Sequence, residues 1–376
     1  MRAATTILVF CVTALLALGM VMLYSSSMAD ASGAHDFVMQ LAWCGLGAVT
    51  GLVAATMDYR LLKKFAWPLY GLAVVLLVLV LVPHIGSKMN GARRWFRLPV
   101  GGVRFQPSEL GKMALIVALA WYGDRCQRRM SDWKKGIVIP GLFVGLILGL
   151  IFVEPDRGTT ILMGGVAGAM LLIAGVRWRH LVPPLLVGVL LISASILHDP
   201  VRRERVLAWM HPEEQKMGTG LQADRAKMAL GSGGWTGVGL GNSRQKLGFL
   251  PFHNTDFILP IIGEELGLVA TLLVVTAFGL VVICGLHIAS RSGDAFGLLL
   301  GSGIALMIGL QAAINIGVVT DVLPNKGIPL PFISYGGSNL LIMLTSIGLL
   351  VSIARRARVA PAARLEPGEI PSPQLP

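Results

Sequence analysis

Long apolar runs separated by shorter polar segments set the hydrophobic pattern of this chain. A helix needs about 20 apolar residues to cross roughly 30 Å of hydrocarbon. Ten runs approach that length, and the fourth is the weakest because Glu109 and Lys112 lie in its first turns. The pattern therefore predicts an all-α, polytopic membrane bundle of about ten transmembrane helices. The predicted spans cover residues 5–26, 37–57, 66–83, 109–123, 137–153, 159–176, 181–197, 257–287, 295–320 and 335–354.

Composition supports this class. Hydrophobic residues make up 54% of the chain and charged residues 14%, and the mean hydropathy is +0.71. These values exclude an ordinary soluble domain. The four cysteines have neither metal-ligand nor disulfide-framework spacing, so we interpret them as small core residues. We predict one membrane domain over residues 1–356 and a disordered, proline-rich cytoplasmic tail over residues 357–376.

The distribution of Lys and Arg bears on orientation. The 32 cations divide almost equally between the two sides of the bundle, but those on one side concentrate in two longer loops, 84–108 and 198–255. The short loops on that side carry only Arg157 and Lys326. Short loops decide orientation, so both termini are predicted to be cytoplasmic. The long outer loops are then either solvated or headgroup-facing surfaces, or an electropositive surface that holds an anionic, lipid-linked substrate.

A glycine-rich, cationic loop leads into an acidic residue at the start of the eighth span. Arg244 and Lys246 precede Asp256, which opens a long apolar segment. Charge is costly at a membrane, so a carboxylate here indicates function, and the neighbouring cations indicate a substrate that carries phosphate. Asp256 is the candidate general base, and the helix dipole favours its anionic form. The alternative is simple capping of the helix by Thr255 or Asp256.

Two more carboxylates follow within the same predicted span. Glu264 and Glu265 lie eight and nine residues after Asp256, about 12 Å further along a continuous helix. Gly263 and Gly267 flank them and predict close helix packing there. We interpret both glutamates as satisfied buried carboxylates in preference to catalytic ones.

Two charged motifs lie at other span ends. Glu109 and Lys112 are three residues apart on one helical face, so they either neutralise each other or line a cavity. Residues 154–157, Glu-Pro-Asp-Arg, are predicted to form a tight turn, and their charges could make a local ion-pair cluster.

Two outer segments have distinctive compositions. Residues 201–210 mix arginines with Trp209 and aliphatic residues, which predicts a helix lying in the membrane interface. The last outer loop, 323–340, contains three prolines and Gly327, which exclude a regular helix. Irregular backbone at membrane depth is tolerated where it is buried in protein or lines a cavity, so Lys326 is predicted to lie beside a cavity.

Seven segments together resemble one known family. They are similar, in the same order and over about two-thirds of the chain, to motifs of the SEDS family (shape, elongation, division and sporulation proteins), which includes FtsW and RodA. GLGNSRQK, Lys326 and the GGSN sequence at 336–339 are more similar to the FtsW branch. The segments are NGARRW at 90–95, QPSELGK at 106–112, EPDRGT at 154–159, GLGNSRQK at 239–246, TDF at 255–257, GEELG at 263–267 and PNKGIPLPFISYGG at 324–337.

The resemblance implies a ten-span, inverting peptidoglycan glycosyltransferase that polymerises lipid II at the outer face of the cytoplasmic membrane, at the division septum. It also implies a complex with a class B penicillin-binding protein and other division proteins. The family's catalytic aspartate falls on Asp256. Cationic side chains, or a bound Mg²⁺ or other divalent cation, would stabilise the departing diphosphate, although no metal-ligand set is evident in the sequence. The expected substrate-binding residues are Arg94, Glu109, Lys112, Arg244, Lys246, Lys326 and Ser334.

The chain departs from the family pattern at several positions. The usual glutamate and histidine before the aspartate are replaced by Phe252 and Asn254, and the aliphatic residue after EPD is replaced by Arg157. An expected Gln-Ser pair is Arg225-Ala226. Three alternative functions stay open: a RodA-like elongation polymerase, a flippase for lipid II, and a non-catalytic scaffold of the division complex. A flippase usually has inverted repeats, and the sequence contains no evident internal repeat.

Overall fold

The computed structural model describes residues 1–27, 33–89, 92–97, 104–211, 220–251 and 254–362. Helices make up most of this part of the chain. They are α1 (Arg2–Ser27), α2 (Gly33–Thr56), α3 (Leu62–Leu81), α4 (Pro107–Cys126), α5 (Ile139–Val153), α6 (Arg157–Ile173), α7 (Trp178–Leu197), α8 (Pro200–Met210), α9 (Leu221–Ser232), α10 (Ile258–Ser290), α11 (Ala295–Val319) and α12 (Gly337–Ala362). Three short strands, β1 (Ser87–Met89), β2 (Ala92–Arg97) and β3 (Arg104–Phe105), pair antiparallel in the order β1-β2-β3.

Each of the ten predicted spans corresponds to one helix. Eight of the described helices are long and apolar enough to cross a membrane. The other two are α6, which is apolar but has only 17 residues, and α4, which carries charged residues in its first and last turns. The predicted class, an all-α polytopic membrane bundle, is therefore confirmed. The helix α9 and the small sheet, which the hydrophobic pattern did not predict, lie with α8 in the two long loops.

The fourth span is the most deeply buried part of the bundle. Every residue of α4 from Met113 to Ala120 is buried, and α4 packs against α3, α5, α6 and α11. A helix that is surrounded by protein needs no amphipathic stripe. The charged residues that weaken this span by hydropathy are therefore enclosed by other helices and do not face lipid.

Small residues allow the closest helix contact. Gly47 and Gly51 are four residues apart on α2 and face α12, and a β-carbon added to Gly348 would lie 2.0 Å from the backbone oxygen of Gly51. This small-xxx-small spacing lets two membrane helices approach at backbone distance. The helix α7, by contrast, has no buried residue, and it therefore lies at the periphery of the bundle.

The helix after Asp256 is not a single straight span. Over Ile258–Ser290 the helical backbone is interrupted at Gly267, where φ is 80°. A straight helix of 33 residues would be about 50 Å long, well beyond the roughly 30 Å of hydrocarbon. The break divides α10 into a half-helix, 258–266, and a spanning helix, 268–290. The predicted span 257–287 is corrected accordingly.

The break in α10 is occupied by backbone of the loop that follows α9. Leu268 donates its backbone N–H to the oxygen of Gly234 at 2.9 Å. A β-carbon on Gly267 would lie 2.4 Å from the backbone oxygen of Trp235, so glycine is required both for this approach and for the positive φ. The close packing predicted for Gly263 is a helix contact with α9, whereas at Gly267 it is a contact between a helix and a loop.

Two further outcomes concern the outer segments and the tail. The predicted helix at 201–210 is present as α8, and Asp199 caps it by accepting from the backbone N–H of Val201 at 3.1 Å. The final helix extends to Ala362. Residues 357–362 of the predicted tail are therefore helical, whereas residues 363–376 lie outside the described residues. The membrane domain over residues 1–356 stays a prediction.

Candidate functional site

The backbone around Asp256 is held by hydrogen bonds from α11 and from the loop before α12. Asn315 of α11 donates through Nδ2 to the backbone oxygens of Asp256, at 2.8 Å, and Ile328, at 2.7 Å. Ser334 donates its hydroxyl to the backbone oxygen of Thr255 at 2.6 Å. These bonds fix the position from which the acidic side chain projects.

The hydroxyl of Ser334 is fully used by backbone partners. It also accepts from the backbone N–H of Leu330 at 2.8 Å, and the residue is 5% exposed. The expectation that Ser334 binds substrate stays a prediction. Its role in this structure is to join the loop before α12 to the segment that carries Asp256.

The Asp256 carboxylate is half-buried and packs against Gly327, where an added β-carbon would lie 2.5 Å from Oδ2. Burial raises the pKa of Asp256 from 3.8 to about 6; the charge of Asp156 acts in the same direction, and the charge of Arg94 opposes it. Among the residues that the structure describes, none donates a hydrogen bond to this carboxylate. A partly accessible carboxylate with a pKa near neutrality is suited to accept a proton.

Helix capping does not account for this aspartate. The half-helix begins at Ile258 and its N-cap residue is Phe257, which makes no side-chain cap hydrogen bond. Asp256 therefore lies one residue before the cap position, and capping by its carboxylate is not observed. The helix dipole still points its positive end toward this segment.

Arg94 connects the small sheet to the turn between α5 and α6. Its Nε donates to the backbone oxygen of Glu154 at 2.8 Å and its Nη2 to that of Pro155 at 2.6 Å. Glu154 is fully buried, and neither of its carboxylate oxygens has a hydrogen-bond partner. Burial raises the pKa of Glu154 to about 8; the charge of Asp156 reinforces this rise and that of Arg94 opposes it. Arg94 thus lies between the turn and the site, where its charge acts on both.

The predicted ion-pair cluster within residues 154–157 does not form. Asp156 accepts from the backbone N–H of Thr159 at 3.1 Å and from its hydroxyl at 2.9 Å. Arg157 points the other way: its Nε donates to the hydroxyl of Ser195 on α7 at 2.9 Å, and its guanidinium stacks on the ring of Phe152. The carboxylate caps α6, and the guanidinium reaches the neighbouring helix.

Lys326 lies half-buried in the loop before α12. Burial lowers the pKa of Lys326 to about 8; Asp156 opposes this change, and the positive charges of Arg157 and Arg202 reinforce it. No carboxylate of the described chain lies within ion-pair distance of its ammonium group. Lys326 therefore carries a charge that no described carboxylate neutralises by direct contact.

Glu109 and Lys112 form a buried ion pair. Lys112 Nζ lies 2.9 Å from Glu109 Oε2 and donates to Gln311 Oε1 at 2.9 Å, and Asn339 donates to the same glutamate oxygen at 2.9 Å. Glu109 is 4% exposed and Lys112 is 1% exposed. Gln311 then donates to the backbone oxygen of Pro329 at 2.9 Å, which supports the last loop. The mutual neutralisation of the two charges is therefore observed, and the substrate-binding role of the pair stays a prediction.

The two glutamates of α10 hold the cationic, glycine-rich loop. Glu265 accepts from the backbone N–H of Gly241 at 3.0 Å and from the hydroxyl of Ser25 at 2.7 Å. Glu264 accepts from the backbone N–H of Arg244 at 3.1 Å. Both glutamates are buried, so their interpretation as satisfied buried carboxylates is confirmed. The Arg244 side chain itself is exposed.

Lys246 belongs to the same buried network. Its Nζ lies 2.9 Å from Glu265 Oε1 and donates to the backbone oxygen of Ser25 at 3.2 Å. The residue is 5% exposed. The charge of Lys246 is therefore paired with an internal carboxylate, and its binding of substrate stays a prediction.

The positions that depart from the family pattern are only partly described. Arg225 of α9 places its guanidinium over the ring of Phe249, 5.4 Å from the centroid, and Ala226 is buried in the core. Asn254 contributes its backbone oxygen to the loop before α12. Phe252 lies outside the described residues.

A preformed metal site is not evident among the described side chains, and the divalent cation stays an expectation. These side chains include no group of three or more His, Cys, Asp or Glu residues placed to hold a metal ion. Asp156, the carboxylate whose charge acts on both Glu154 and Asp256, is already engaged by Thr159. The mechanism below therefore takes no step through Mg²⁺.

Sequence reasoning missed two amides that position the site. Gln311 and Asn315 are 0% and 1% exposed inside the apolar helix α11, and both bond backbone carbonyls of the last loop. Polar side chains at membrane depth are costly unless they are bonded, so such residues mark supporting or functional contacts. Two amides four residues apart in an apolar span are the signal that could have identified them.

The family model described as "Cell cycle protein" and named for FtsW, RodA and SpoVE matches residues 5–359. The chain belongs to this family. The resemblance to SEDS proteins that the seven motifs indicate is thereby confirmed, and the match covers nearly all of the described helices.

Several relatives of this SEDS protein have names that bear on function. It is 39% identical over 360 residues to a protein of Trichlorobacter lovleyi named "Probable peptidoglycan glycosyltransferase FtsW", with 94% of each chain covered. A protein of Marinobacter nauticus with the same name is 40% identical over 371 residues, covering 94% of this chain and 91% of the relative. "Stage V sporulation protein E" of Bacillus subtilis is 37% identical over 360 residues, covering 94% and 97%.

Solved structures of SEDS proteins have the same fold. A chain in a structure described as "Structural coordination of polymerization and crosslinking by a peptidoglycan synthase complex" aligns with a TM-score of 0.77 at 31% identity, covering 93% of this chain and 97% of the other. The rod shape determining protein RodA of Thermus thermophilus aligns with a TM-score of 0.68 at 28% identity, covering 93% and 95%.

Proposed function

We propose that this FtsW-like protein is a peptidoglycan glycosyltransferase that polymerises lipid II into glycan strands. The observation that carries the proposal is the Asp256 carboxylate, which is half-buried, has a pKa raised to about 6 and receives no hydrogen bond from the described residues. Its neighbourhood includes the cations Arg94 and Lys326. Family membership and the names of the relatives support the same class of reaction.

In this mechanism Asp256 acts as the general base. The 4-hydroxyl oxygen of an acceptor GlcNAc forms a bond to C1 of a donor MurNAc while Asp256 takes the hydroxyl proton. The bond from C1 to the polyprenyl diphosphate breaks, and the diphosphate leaves with the electron pair. One direct displacement inverts the configuration at C1. General base catalysis of this kind contributes about 10²–10⁴-fold.

The leaving diphosphate needs charge stabilisation more than it needs a proton. Positioned cations supply that stabilisation most effectively where water is excluded. Of the expected cations, Lys326 and Arg244 form no ion pair within the described chain. Two N–H groups of Arg94 already donate hydrogen bonds to backbone oxygens. Lys326 is therefore our main candidate among the expected substrate-binding residues, with Arg94 acting through its charge.

The decisive experiment is polymerisation by the full-length protein in lipid nanodiscs, with purified lipid II as the only substrate. We expect Asp256→Asn to lower glycan-strand formation by about 10²–10⁴-fold while the protein keeps its thermal stability. Asp132→Asn is the matched control, because Asp132 is an exposed aspartate at the opposite end of the bundle. Full activity of Asp256→Asn would refute the base assignment.

The same assay separates the alternative functions. Transfer of lipid II across vesicles without polymer formation would favour a flippase. Normal division in cells that carry only the Asp256→Asn protein would favour a scaffold. Polymer formation by the wild-type protein that depends on Asp256 supports neither alternative.

We also propose that a class B penicillin-binding protein and other division proteins are partners. The description of the structurally similar synthase complex, which couples polymerisation to crosslinking, supports the first of these. Co-purification and stimulation of polymerisation by the transpeptidase would support the partnership. Unchanged activity and no co-purification would argue against it.

The finer localisation belongs to the same proposal. We place the protein at the division septum of the cytoplasmic membrane, with both termini cytoplasmic and the end that carries Asp256 facing outward. A fluorescently tagged copy should concentrate at midcell, whereas a lateral distribution would favour the RodA-like elongation role. Labelling of single cysteines from outside intact cells would test the orientation.

A further inference from the structure

Two guanidinium groups from different helices meet at one hydroxyl group. Arg157, at the start of α6, donates its Nε to Ser195 Oγ at 2.9 Å, and Arg202, in α8, donates its Nη1 to the same oxygen at 2.9 Å. Two like charges at this separation repel each other. A serine on α7 can accept both hydrogen bonds, but it cannot neutralise either charge.

Only one of the two arginines has an anionic partner. Arg202 pairs with Asp199, with 3.1 Å between Nε and Oδ2. Arg157 has no carboxylate within ion-pair distance in the described chain; it donates to the backbone oxygen of Phe152 and stacks on that ring, 3.6 Å from the centroid. These contacts hold the guanidinium plane in one orientation without pairing its charge directly with a described carboxylate.

Lys326 adds a third cation to this group. Its ammonium is close enough to Arg157 and Arg202 for their charges to act on it. Asp156 is the acidic group whose charge opposes the lowering of the Lys326 pKa; it is 7% exposed and already accepts hydrogen bonds from Thr159. Three cations from three chain segments therefore have two carboxylates nearby: Asp156, which is buried, and Asp199, which already pairs with Arg202.

We propose that Arg157 and Arg202, with Lys326 beside them, bind the diphosphate group of a polyprenyl-linked donor. The assignment rests on the proposed function, and it adds Arg157, a departure from the family pattern, and Arg202 to the expected substrate-binding residues. Planar guanidinium groups bind phosphate oxygens through two parallel hydrogen bonds, so two arginines aimed at one point suit a group with several phosphate oxygens. The bound anion removes the repulsion between the two guanidinium groups.

The position of Ser195 suits a ligand with a lipid tail. It lies near the end of α7, whose surface is apolar and exposed: Leu190 and Leu197 are 68% and 70% exposed. A polyprenyl chain can lie along this helix in the membrane while its charged group stays at Ser195. A soluble phosphate would gain nothing from this placement, whereas a phospholipid headgroup would share the chemistry.

The test measures binding of undecaprenyl diphosphate to the full-length protein in phosphatidylcholine nanodiscs. We expect Arg157→Leu and Arg202→Gln each to weaken binding by about 10–100-fold, the loss typical of charge-assisted hydrogen bonds. Arg157→Lys keeps the charge but loses the planar guanidinium group, so its affinity for undecaprenyl diphosphate should lie between those of the wild type and Arg157→Leu. Thermal unfolding of each variant shows whether it is folded.

Arg203→Gln is the matched control. Arg203 is the exposed neighbour of Arg202 on the same helix, and in the described structure it forms no ion pair. Its replacement should leave the dissociation constant unchanged. Equal effects of Arg203→Gln and Arg202→Gln would overturn the proposal, because the effect would then come from net charge alone. Unchanged binding by folded Arg157→Leu and Arg202→Gln would also overturn it.

Phosphatidylglycerol identifies the source of the phosphate. The protein in nanodiscs with added phosphatidylglycerol should bind undecaprenyl diphosphate with unchanged affinity. If phosphatidylglycerol competes as well as undecaprenyl diphosphate binds, the site is a general phospholipid headgroup site and the donor assignment is overturned.

The polymerisation assay separates this inference from the proposed function. If the wild type makes polymer and both variants keep the wild-type KM for lipid II, this inference is wrong and the proposed function stands. If the wild type makes no polymer but binding depends on Arg157, the proposed function fails alone.

Discussion

The Asp256 carboxylate packs directly against the α-carbon of Gly327, so that a methyl group at this glycine would lie 2.5 Å from Oδ2. The contact joins the acidic segment before α10 to the proline-rich loop before α12. Neither segment has regular secondary structure there, and the amide of Asn315 holds both by their backbones. The position of the carboxylate is therefore set by a contact between two loops.

We expect Gly327→Ala to displace the carboxylate and to lower kcat by about 10²-fold, since a shift of about 1 Å in a catalytic group costs that much. The added methyl meets the end of a side chain that can rotate, so stability should change little. Gly336→Ala, in the same loop, is the control, because its nearest contact would be an ordinary 3.8 Å. Steady-state kinetics with lipid II provides the measurement. Equal kcat values for the two variants would contradict the positional argument.

The pH profile of polymerisation should follow two groups of the site. Asp256 must be ionised to accept a proton, so with its pKa at about 6 the rate should fall about tenfold per unit below pH 6. Lys326 loses its charge above its pKa of about 8, so the rate should also fall on the alkaline side. Lys326→Arg stays charged and should extend the profile above pH 8 without moving its acidic limb. An acidic limb that is unchanged in Asp256→Asn would assign it to another group.

Glu154 should make the folded state less stable as pH rises. Its folded pKa of about 8 exceeds the ordinary value of 4.5, so the folded protein keeps a proton that the unfolded chain releases. The associated stability is fully present below pH 4.5 and is lost by pH 8, by an amount on the order of a few kcal/mol. Glu154→Gln cannot ionise and should flatten this dependence. Thermal unfolding in detergent at pH 5 and pH 8 tests it; parallel changes in both proteins would exclude Glu154 as the cause.

The buried pair of Lys246 and Glu265 should matter for stability. Lys246→Met leaves the Glu265 carboxylate without its cation in a buried site, which typically costs about 3–5 kcal/mol. Adding Glu265→Gln removes the stranded charge and should restore part of the loss. Arg244→Gln changes an exposed neighbour and should stay within about 0.5 kcal/mol of the wild type. Melting temperatures provide the comparison, and similar values for Lys246→Met and Arg244→Gln would show that the pair contributes nothing.

The break in α10 should depend on its glycine. Gly267→Ala forces a β-carbon into a residue with φ of 80° and to within 2.4 Å of the Trp235 backbone oxygen, and we expect a loss of about 1–3 kcal/mol or more. Gly279→Ala, in the spanning half of the same helix, meets nothing within 4 Å and should be neutral or slightly stabilising. Thermal unfolding of both variants measures the difference. A stable Gly267→Ala protein would mean that the backbone can straighten at this point.

Local composition was enough to predict the spans and the irregular last loop. A span is recognised from the length of its apolar run, and this property does not depend on neighbours. The ten helices therefore lie where the hydrophobic pattern predicts them. The irregular loop before α12 was equally predictable, because proline limits the backbone wherever it occurs. The boundaries of α10 and α12 were less predictable. A loop inserts into α10 at Gly267, and α12 continues as a helix past the last apolar run.

Only the tertiary structure decided which charges are free. In the sequence Lys246 looks available and Arg157 looks paired within its own turn. In the structure Lys246 is paired with a glutamate beside the distant Ser25, whereas Arg157 forms no ion pair with a described carboxylate. Glu109 and Lys112 are likewise completed by Asn339, far along the chain. The charge available to a substrate depends on what surrounds each group after folding, because burial and pairing, not residue type, decide whether a charge is already neutralised.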